Sequence, residues 1–269
     1  MSRILLLFAW LLTLPLTGEA SVSDGYNDLP GSYVYDDNGN MTADPSKGIT
    51  VTYNHLDLPT TVQWTGQGQQ RIEMTYDAAG TLLRRQSFNT AGTSVEIRDY
   101  IEGIEYINNT LESVMHEEGR VYFDSGTQRY DYALTDHLGN TRLMYSDLNG
   151  DGIPQVPSEI IQEEHYLPFG MKMVGPWMGA GAAEETKYGY NGIEHIDEFD
   201  LGVNMAFYRT LDPLTGRWWQ VDPKAEKFMG LSPYNSMGNS PMNFADPDGA
   251  EPITIALGIA AALGAFNGY

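Results

Sequence analysis

A short pattern, Tyr-Asp-x-x-Gly-x-Φ with Φ apolar, recurs along the first half of the chain and restricts what it can fold into. Tyr35–Met41 and Tyr76–Leu82 carry it in full, and Tyr53-Asn54, followed by Leu58-Pro59-Thr60, is a degenerate copy between them. Starts at 35, 53 and 76 set a period of about 20 residues, and Asp136–Leu143 repeats the Asp-x-x-Gly part later. Asp and Gly make a tight hairpin turn, because Gly adopts φ > 0 without strain. The flanking Tyr, Val, Thr and Leu alternate as strand residues do. Each copy is thus a strand–turn–strand unit that buries its apolar face only against its neighbours.

Ile49–Tyr53, Ile72–Tyr76, Val95–Tyr100, Gly119–Phe123, Tyr130–Leu134 and Thr141–Tyr145 read as half-buried strands. Val174–Glu185, rich in Gly and Ala, reads as a loop. A helical pattern is expected only in the apolar stretch Ile253–Phe266, which is too short to span a bilayer. The expected class is therefore all-β with a short apolar C-terminal helix. Acidic residues outnumber basic ones 36 to 15, a net charge of −21, which repels nucleic acid and anionic membrane surfaces. With no cysteine, disulfides, thiolate metal sites and thiol catalysis are excluded. At the N-terminus, Arg3, the apolar run Ile4–Leu16 and Gly18-Glu19-Ala20 follow the order of a secretory signal peptide, residues 1–20, with a mature chain from Ser21. A retained anchor or a buried strand is the alternative.

The stretch Phe207–Gly249 holds three Asp-Pro pairs and Gly216-Arg217-Trp218-Trp219. Asn235, Asn239-Ser240-Pro241 and Asp246-Pro247-Asp248-Gly249 follow. No helix or strand pattern demands that order. It closely resembles the RHS repeat-associated core, the segment that ends the β-shell of RHS/YD-repeat proteins such as polymorphic bacterial toxins. Tyr166-Leu167-Pro168-Phe169-Gly170 is similar to that family's Y-x-P-F-G element, and Lys187–Glu194 to its F-x-G-x-E position. The resemblance runs from Tyr33 to Gly249 and is closest over the final part. It implies YD/RHS repeats over 21–145, a core over 146–249, and an apolar tail over 250–269 where family members begin a variable effector region that is expected to be missing here. The fold it implies is an antiparallel meander of YD hairpins forming part of a curled shell. The function it implies is an exported structural or interaction module, secreted or at the bacterial cell surface, with protein partners in a toxin or surface system.

The resemblance also implies a catalytic group. Family members cut themselves just after the core, and Arg209, Asp222 and Asp246 occupy the matching positions. Two close carboxylates can share one proton, leaving a base for water and an acid for the leaving amide, while a guanidinium holds one of them ionised. Asp-Pro is equally a routine turn dipeptide. Thr210-Leu211 stand where the family has Tyr, and Ala250-Glu251-Pro252 replace the usual bulky apolar residue before the cut. Pro252 stiffens the segment and Glu251 adds negative charge, so cleavage near Gly249–Glu251 is expected to be slow or absent and to increase with Ala250→Leu.

A second constellation is Asp147-Leu148-Asn149-Gly150-Asp151-Gly152-Ile153. Oxygens of Asp147, Asn149 and Asp151, with the Ile153 carbonyl, match the start of a calcium loop, and Gly152 supplies the sharp turn. Ser158 stands where a bidentate acid belongs and Glu159 follows it, so calcium binding should be weak. A polar hairpin turn that binds nothing is the alternative. The five histidines have no zinc spacing. Trp218-Trp219 suits either core packing or stacking on sugars, which keeps a calcium-dependent carbohydrate-binding adhesin as a third reading.

Overall fold

The computed structural model describes residues 32–124, 126–173 and 186–254. The stretch 1–20 expected to be a signal peptide, the stretch 174–185 expected to be a loop and tail residues 255–269 lie outside the described residues. Thirteen strands follow one another as β1 (Val34–Tyr35), β2 (Met41–Asp44), β3 (Ile49–Tyr53), β4 (Pro59–Trp64), β5 (Arg71–Tyr76), β6 (Leu82–Phe88) and β7 (Ser94–Ile101), then β8 (Ile104–Ile107), β9 (Thr110–His116), β10 (Gly119–Asp124), β11 (Thr127–Thr135), β12 (Thr141–Ser146) and β13 (Ile160–Glu163). They form one antiparallel sheet whose strand order is the chain order, an open meander with β1 and β13 at its edges. A four-stranded sheet, β14 (Glu194–Ile196), β15 (Val203–Met205), β16 (Thr210–Asp212) and β17 (Arg217–Trp218), comes next. A last pair joins β18 (Phe244–Ala245) to β19 (Ile253–Thr254). The expected all-β class is therefore what forms. The helix expected from Ile253 does not begin there, because Ile253–Thr254 pairs as a strand, and among the described residues the only helical pieces are short 3-10 turns.

One local device makes the hairpins. The Asp36 carboxylate accepts the backbone N–H groups of Asn38 and Asn40 at 3.0 and 2.8 Å. The Asp77 carboxylate does the same for Ala79 and Thr81 at 2.8 and 2.9 Å, and Asp136 for Leu138 and Asn140 at 2.9 and 3.1 Å. Asn54 and Asn89 use their amide oxygens identically. The fourth residue of the turn takes a left-handed backbone, as Gly80 at φ +95° shows; at Asn54 that place falls to Asp57 at φ +59°. The tyrosine before the turn latches onto the preceding strands: Tyr53 Oη donates to the Met41 carbonyl at 2.6 Å and Tyr76 Oη to the Pro59 carbonyl at 2.8 Å. Burial pushes both phenols well above the ordinary tyrosine range.

One face of β2–β5 is apolar. Met41, Ile49, Val51, Val62, Trp64, Ile72 and Met74 form a core with Ile196, Leu201, Val203 and Trp219 of the later segment. The small sheet thus packs on the inner face of the meander. The later segment is also bonded at the Gly39–Met41 turn of the meander: Met41 N–H donates to the Trp219 carbonyl at 2.9 Å and Tyr234 Oη to the Gly39 carbonyl at 2.7 Å. Across the sheet, Thr141 N–H donates to the Gly189 carbonyl at 3.0 Å and Asn191 N–H to Asn140 Oδ1 at 2.8 Å. From β6 onward the inward positions become charged, with Arg85, Arg98, Glu105, Arg120 and Asp131 all buried.

The turn device is testable at the half-buried Asp136. Asp136→Ala removes the acceptor of two backbone N–H groups and should cost about 1–3 kcal/mol in urea unfolding. Asp136→Asn should keep most of the stability, since Asn54 and Asn89 hold the same turn. Equal losses in the two variants would show that the side-chain acceptor is not what holds it.

Candidate functional site

Arg209 leads into β16, Asp222 heads the Asp-Pro turn after β17, and Asp246 follows β18 directly. The structure brings the three together around one buried guanidinium, which lies 4.7 Å over the Trp218 ring. Arg209 Nη2 is 3.1 Å from Asp222 Oδ2 and 3.1 Å from Asp246 Oδ2. Arg209 Nε donates to the Gly249 carbonyl, and Nη1 reaches the Pro233 carbonyl at 3.4 Å. Nε and Nη2 lie along one edge of the planar fork, so both carboxylates and the Gly249 carbonyl share that edge. The Ala250 N–H donates to Asp246 Oδ1 and to Asp248 Oδ1, each at 3.0 Å. The peptide linking Gly249 to Ala250 is therefore held at its oxygen by Arg209 and at its nitrogen by Asp246.

The backbone fits this arrangement closely. Gly249 sits at φ +76°, and a Cβ there would lie 3.1 Å from the Arg209 nitrogen and 3.2 Å from the Ala206 side chain. Only glycine suits both demands. Asp222 is fixed by its own turn, its N–H donating to the Pro233 carbonyl at 2.9 Å and its Oδ1 accepting from Lys224 N–H at 2.7 Å. Burial pushes the Asp246 carboxyl up to about 6, against the pull of Arg209, and Asp248 adds to the rise. Burial also draws the Arg209 guanidinium down, opposed by Asp222 and Asp246. A carboxyl that keeps its proton at mildly acid pH, beside a second carboxylate and a polarised carbonyl, can carry out acid–base chemistry at that peptide. The same contacts equally serve as a static lock on the Asp246-Pro247-Asp248-Gly249 turn.

Two sequence expectations about the neighbourhood are corrected. Glu251 does not stand as an unscreened charge beside the carboxylates, because Lys227 Nζ lies 2.5 Å and Lys224 Nζ 3.0 Å from its Oε1. Ala250 is wholly buried, so Leu in its place must overpack the site rather than simply fill it. Sequence reasoning missed Asp248, the Trp218 platform and the Pro233 carbonyl. Asp248 was in view inside Asp-Pro-Asp-Gly, whereas the other two become partners only through the fold.

In the second loop, the oxygens expected to ligate calcium accept backbone N–H groups. Asp147 takes Gly150 and Gly152 at 2.8 Å each, Asn149 takes Asp151 at 2.8 Å, and Asp151 takes Ile153 at 2.8 Å. The Glu159 carboxylate folds back onto Leu148 N–H at 3.0 Å and Gln155 N–H at 2.8 Å. Among the described residues no group of three or more His, Asp or Glu side chains is placed to hold a metal ion. Trp218 and Trp219 are buried, and both border a cavity of about 300 Å³ together with Tyr35 and Met41. No described helix is long and apolar enough to cross a membrane.

No family model matches the chain. In sequence it is similar to Salivary gland surface protein 1 of Aedes aegypti, 26% identical over 277 residues that take in 93% of this chain and 8% of that protein. It is also similar to Toxin subunit YenC1 of Yersinia entomophaga, 27% identical over 225 residues, 76% of this chain and 22% of that protein. The chain thus spans less than a quarter of the length of either relative. Among solved structures, the Photorhabdus luminescens Tc holotoxin pore matches with a TM-score of 0.64 at 22% identity, over 85% of this chain and 11% of that one. The TcdB2-TccC3 structure matches with a TM-score of 0.62 at 20% identity, over 80% and 11%. The chain is similar in sequence to part of a toxin subunit and shares its fold with part of the chains in these Tc toxin structures.

The Asp246 shift sets a pH dependence. Its folded value stands above the ordinary carboxylate value of about 4, so the folded state binds the extra proton. That contribution to stability is complete below about pH 4 and is lost as pH rises through about 6. The stability advantage of the unaltered chain over Asp246→Asn should therefore shrink between pH 4 and pH 7 in urea titrations; an advantage that grows over this range would contradict the assignment.

Proposed function

We propose that the chain is the end segment of an RHS-type β-shell, a structural and interaction module of an exported toxin or cell-surface assembly. The observation that supports this best is the way the segment from residue 186 onward packs inside the meander and bonds to its turns at Gly39–Met41 and at Asn140–Thr141. Such a segment finishes a wall, while β1 and β13 leave sheet edges suited to further strands or partner chains. Fractionation of producing cells should recover the protein in the medium or on the surface, in an assembly larger than the single chain. Recovery only as a cytosolic monomer would count against the reading.

Self-cleavage is a second reading, favoured by the double grip on the Gly249–Ala250 peptide. In it, water adds to the Gly249 carbonyl carbon and gives a proton to Asp222, while Arg209 Nε steadies the developing oxyanion. Asp246 gives its proton to the Ala250 nitrogen, the C–N bond breaks, and a Gly249 carboxylate and an Ala250 amine result. Because the acid form of Asp246 is needed, the rate should fall as pH rises above about 6. Intact-mass time courses at pH 5 and pH 8 should show slow tail loss at the lower pH, stopped by Asp222→Asn or Asp246→Asn. Loss that survives both substitutions, or that speeds up at pH 8, would remove the dyad. Calcium at Asp147–Ile153 remains a separate proposal. A millimolar-calcium rise in Tm that Asp147→Ala and Asp151→Ala abolish supports it, and an unchanged Tm overturns it.

A further inference from the structure

Three carboxylates and one guanidinium meet at the Gly249–Ala250 peptide, and acceptors there outnumber donors. Arg209 gives Nη2 to Asp222 and Asp246, Nε to the Gly249 carbonyl and Nη1 to the Pro233 carbonyl. Among the described residues no ion pair reaches Asp248, and the nearby Lys224 is turned to Glu251 at 3.0 Å. A single N–H, that of Ala250, is therefore offered to both Asp246 Oδ1 and Asp248 Oδ1, at 3.0 Å each. The Asp246 and Asp248 carboxyl groups also lie within hydrogen-bond reach of each other.

Two ionised carboxylates are acceptors only and cannot bond to one another. A hydrogen bond between them requires that one keep its proton, and burial selects which. Asp246 is wholly buried, whereas Asp248 is half-buried with the Lys224 charge nearby. The proton therefore stays on Asp246, with Asp248 as its acceptor. Asp222 is differently engaged, because its Oδ1 accepts Lys224 N–H and its Oδ2 faces Arg209. The charged groups facing the pair are thus Arg209 from the approach to β16, with Asp222 and Lys224 from the turn after β17. Glu251, just beyond Ala250, is neutralised by Lys224 and Lys227.

We propose that Asp248 is a third acid of this site, sharing one proton with Asp246 at the Ala250 nitrogen. What the pair does chemically rests on the self-cleavage reading. There the shared proton passes from Asp246 to the Ala250 nitrogen as the C–N bond breaks, leaving both carboxylates ionised, while Asp222 takes the proton of the attacking water. Asp248 thereby sets the pH up to which the acid form lasts.

Urea unfolding of each chain and of its Asp246→Asn counterpart, from about pH 3 to pH 8, gives the pH above which their stability difference levels off. With Asp248→Asn, which places an amide donor against Asp246, that pH should fall by at least about one unit. Asp222→Asn should lower it less. A value unmoved by Asp248→Asn, or moved more by Asp222→Asn, overturns the proposal. Asp248→Ser serves the same comparison if Asp248→Asn fails to fold. Intact-mass time courses give a separate readout. A pH limit of tail loss that falls together with the urea value supports delivery of the shared proton to Ala250, and a limit that stays in place overturns that delivery. No tail loss in any chain counts against self-cleavage alone, since the urea values still decide whether the proton is shared.

Discussion

Arg85 carries a positive charge from the middle of β6 into the interior, and both of its ion-pair partners come from more than a hundred residues later. Its Nη1 lies 2.6 Å from Glu194 and its Nη2 2.8 Å from Glu198, with Tyr100 Oη donating to Glu194 at 2.9 Å and Lys187 reaching Glu198 at 2.5 Å. Burial raises the Glu198 carboxyl, but Arg85 and Lys187 outweigh it and hold the group at about 2. Stripping water from such ions is expensive, and a buried charge without its partner costs far more than the intact pair. The meander and the later segment therefore depend on each other: when they close together, each supplies the charges that neutralise the other's. Apolar packing of Val203, Leu201 and Trp219 against β2–β5 supplies the area, and the ion pairs fix where the segment sits.

Arg209 repeats this logic on a smaller scale. A guanidinium buried over Trp218 requires carboxylates, and Asp222 and Asp246 meet that need whether or not they also move protons. The group also grips the peptide beside it. Arg209 Nε and Asp246 Oδ1 take opposite ends of the Gly249–Ala250 bond, and β18–β19 pairing with the Lys224–Glu251–Lys227 contacts anchors the chain just beyond.

The hairpins were legible because their cause is local. An Asp or Asn accepting two backbone N–H groups within four residues leaves a direct mark on sequence, and Asp36, Asp77 and Asp136 stand out for that reason. Asn89 escaped notice, since it lacks the preceding tyrosine, though its turn is the same. Strands β8, β9 and β13 carry no pattern that reads as a strand, and β4 and β6 show only as the second arms of the repeat hairpins. Pro59 opens β4, while inward positions such as Arg85, Glu105 and Ser113 hide the apolar alternation. Their partners lie on distant elements, so no local pattern announces them. The Arg209–Asp222–Asp246 group was reached through family resemblance alone, because spacing does not say which Asp-Pro turns converge. The Asp147–Ile153 loop shows the converse hazard, since the oxygens that suit an ion equally suit the loop's own amides.

Strand order in the large sheet equals chain order, and that has a kinetic meaning. Every ladder from β1 to β13 joins neighbours in sequence, so each hairpin can close as soon as its second strand exists, at small loop-closure cost. The contacts from Arg85 to Glu194 and from Met41 to Trp219 span most of the chain and can form only at the end. A chain emerging from a ribosome would thus build its sheet progressively, with unpaired inward charges standing open until the last third arrives. Arg85 is thus neutralised last, when the segment that carries Glu194 and Glu198 has been made.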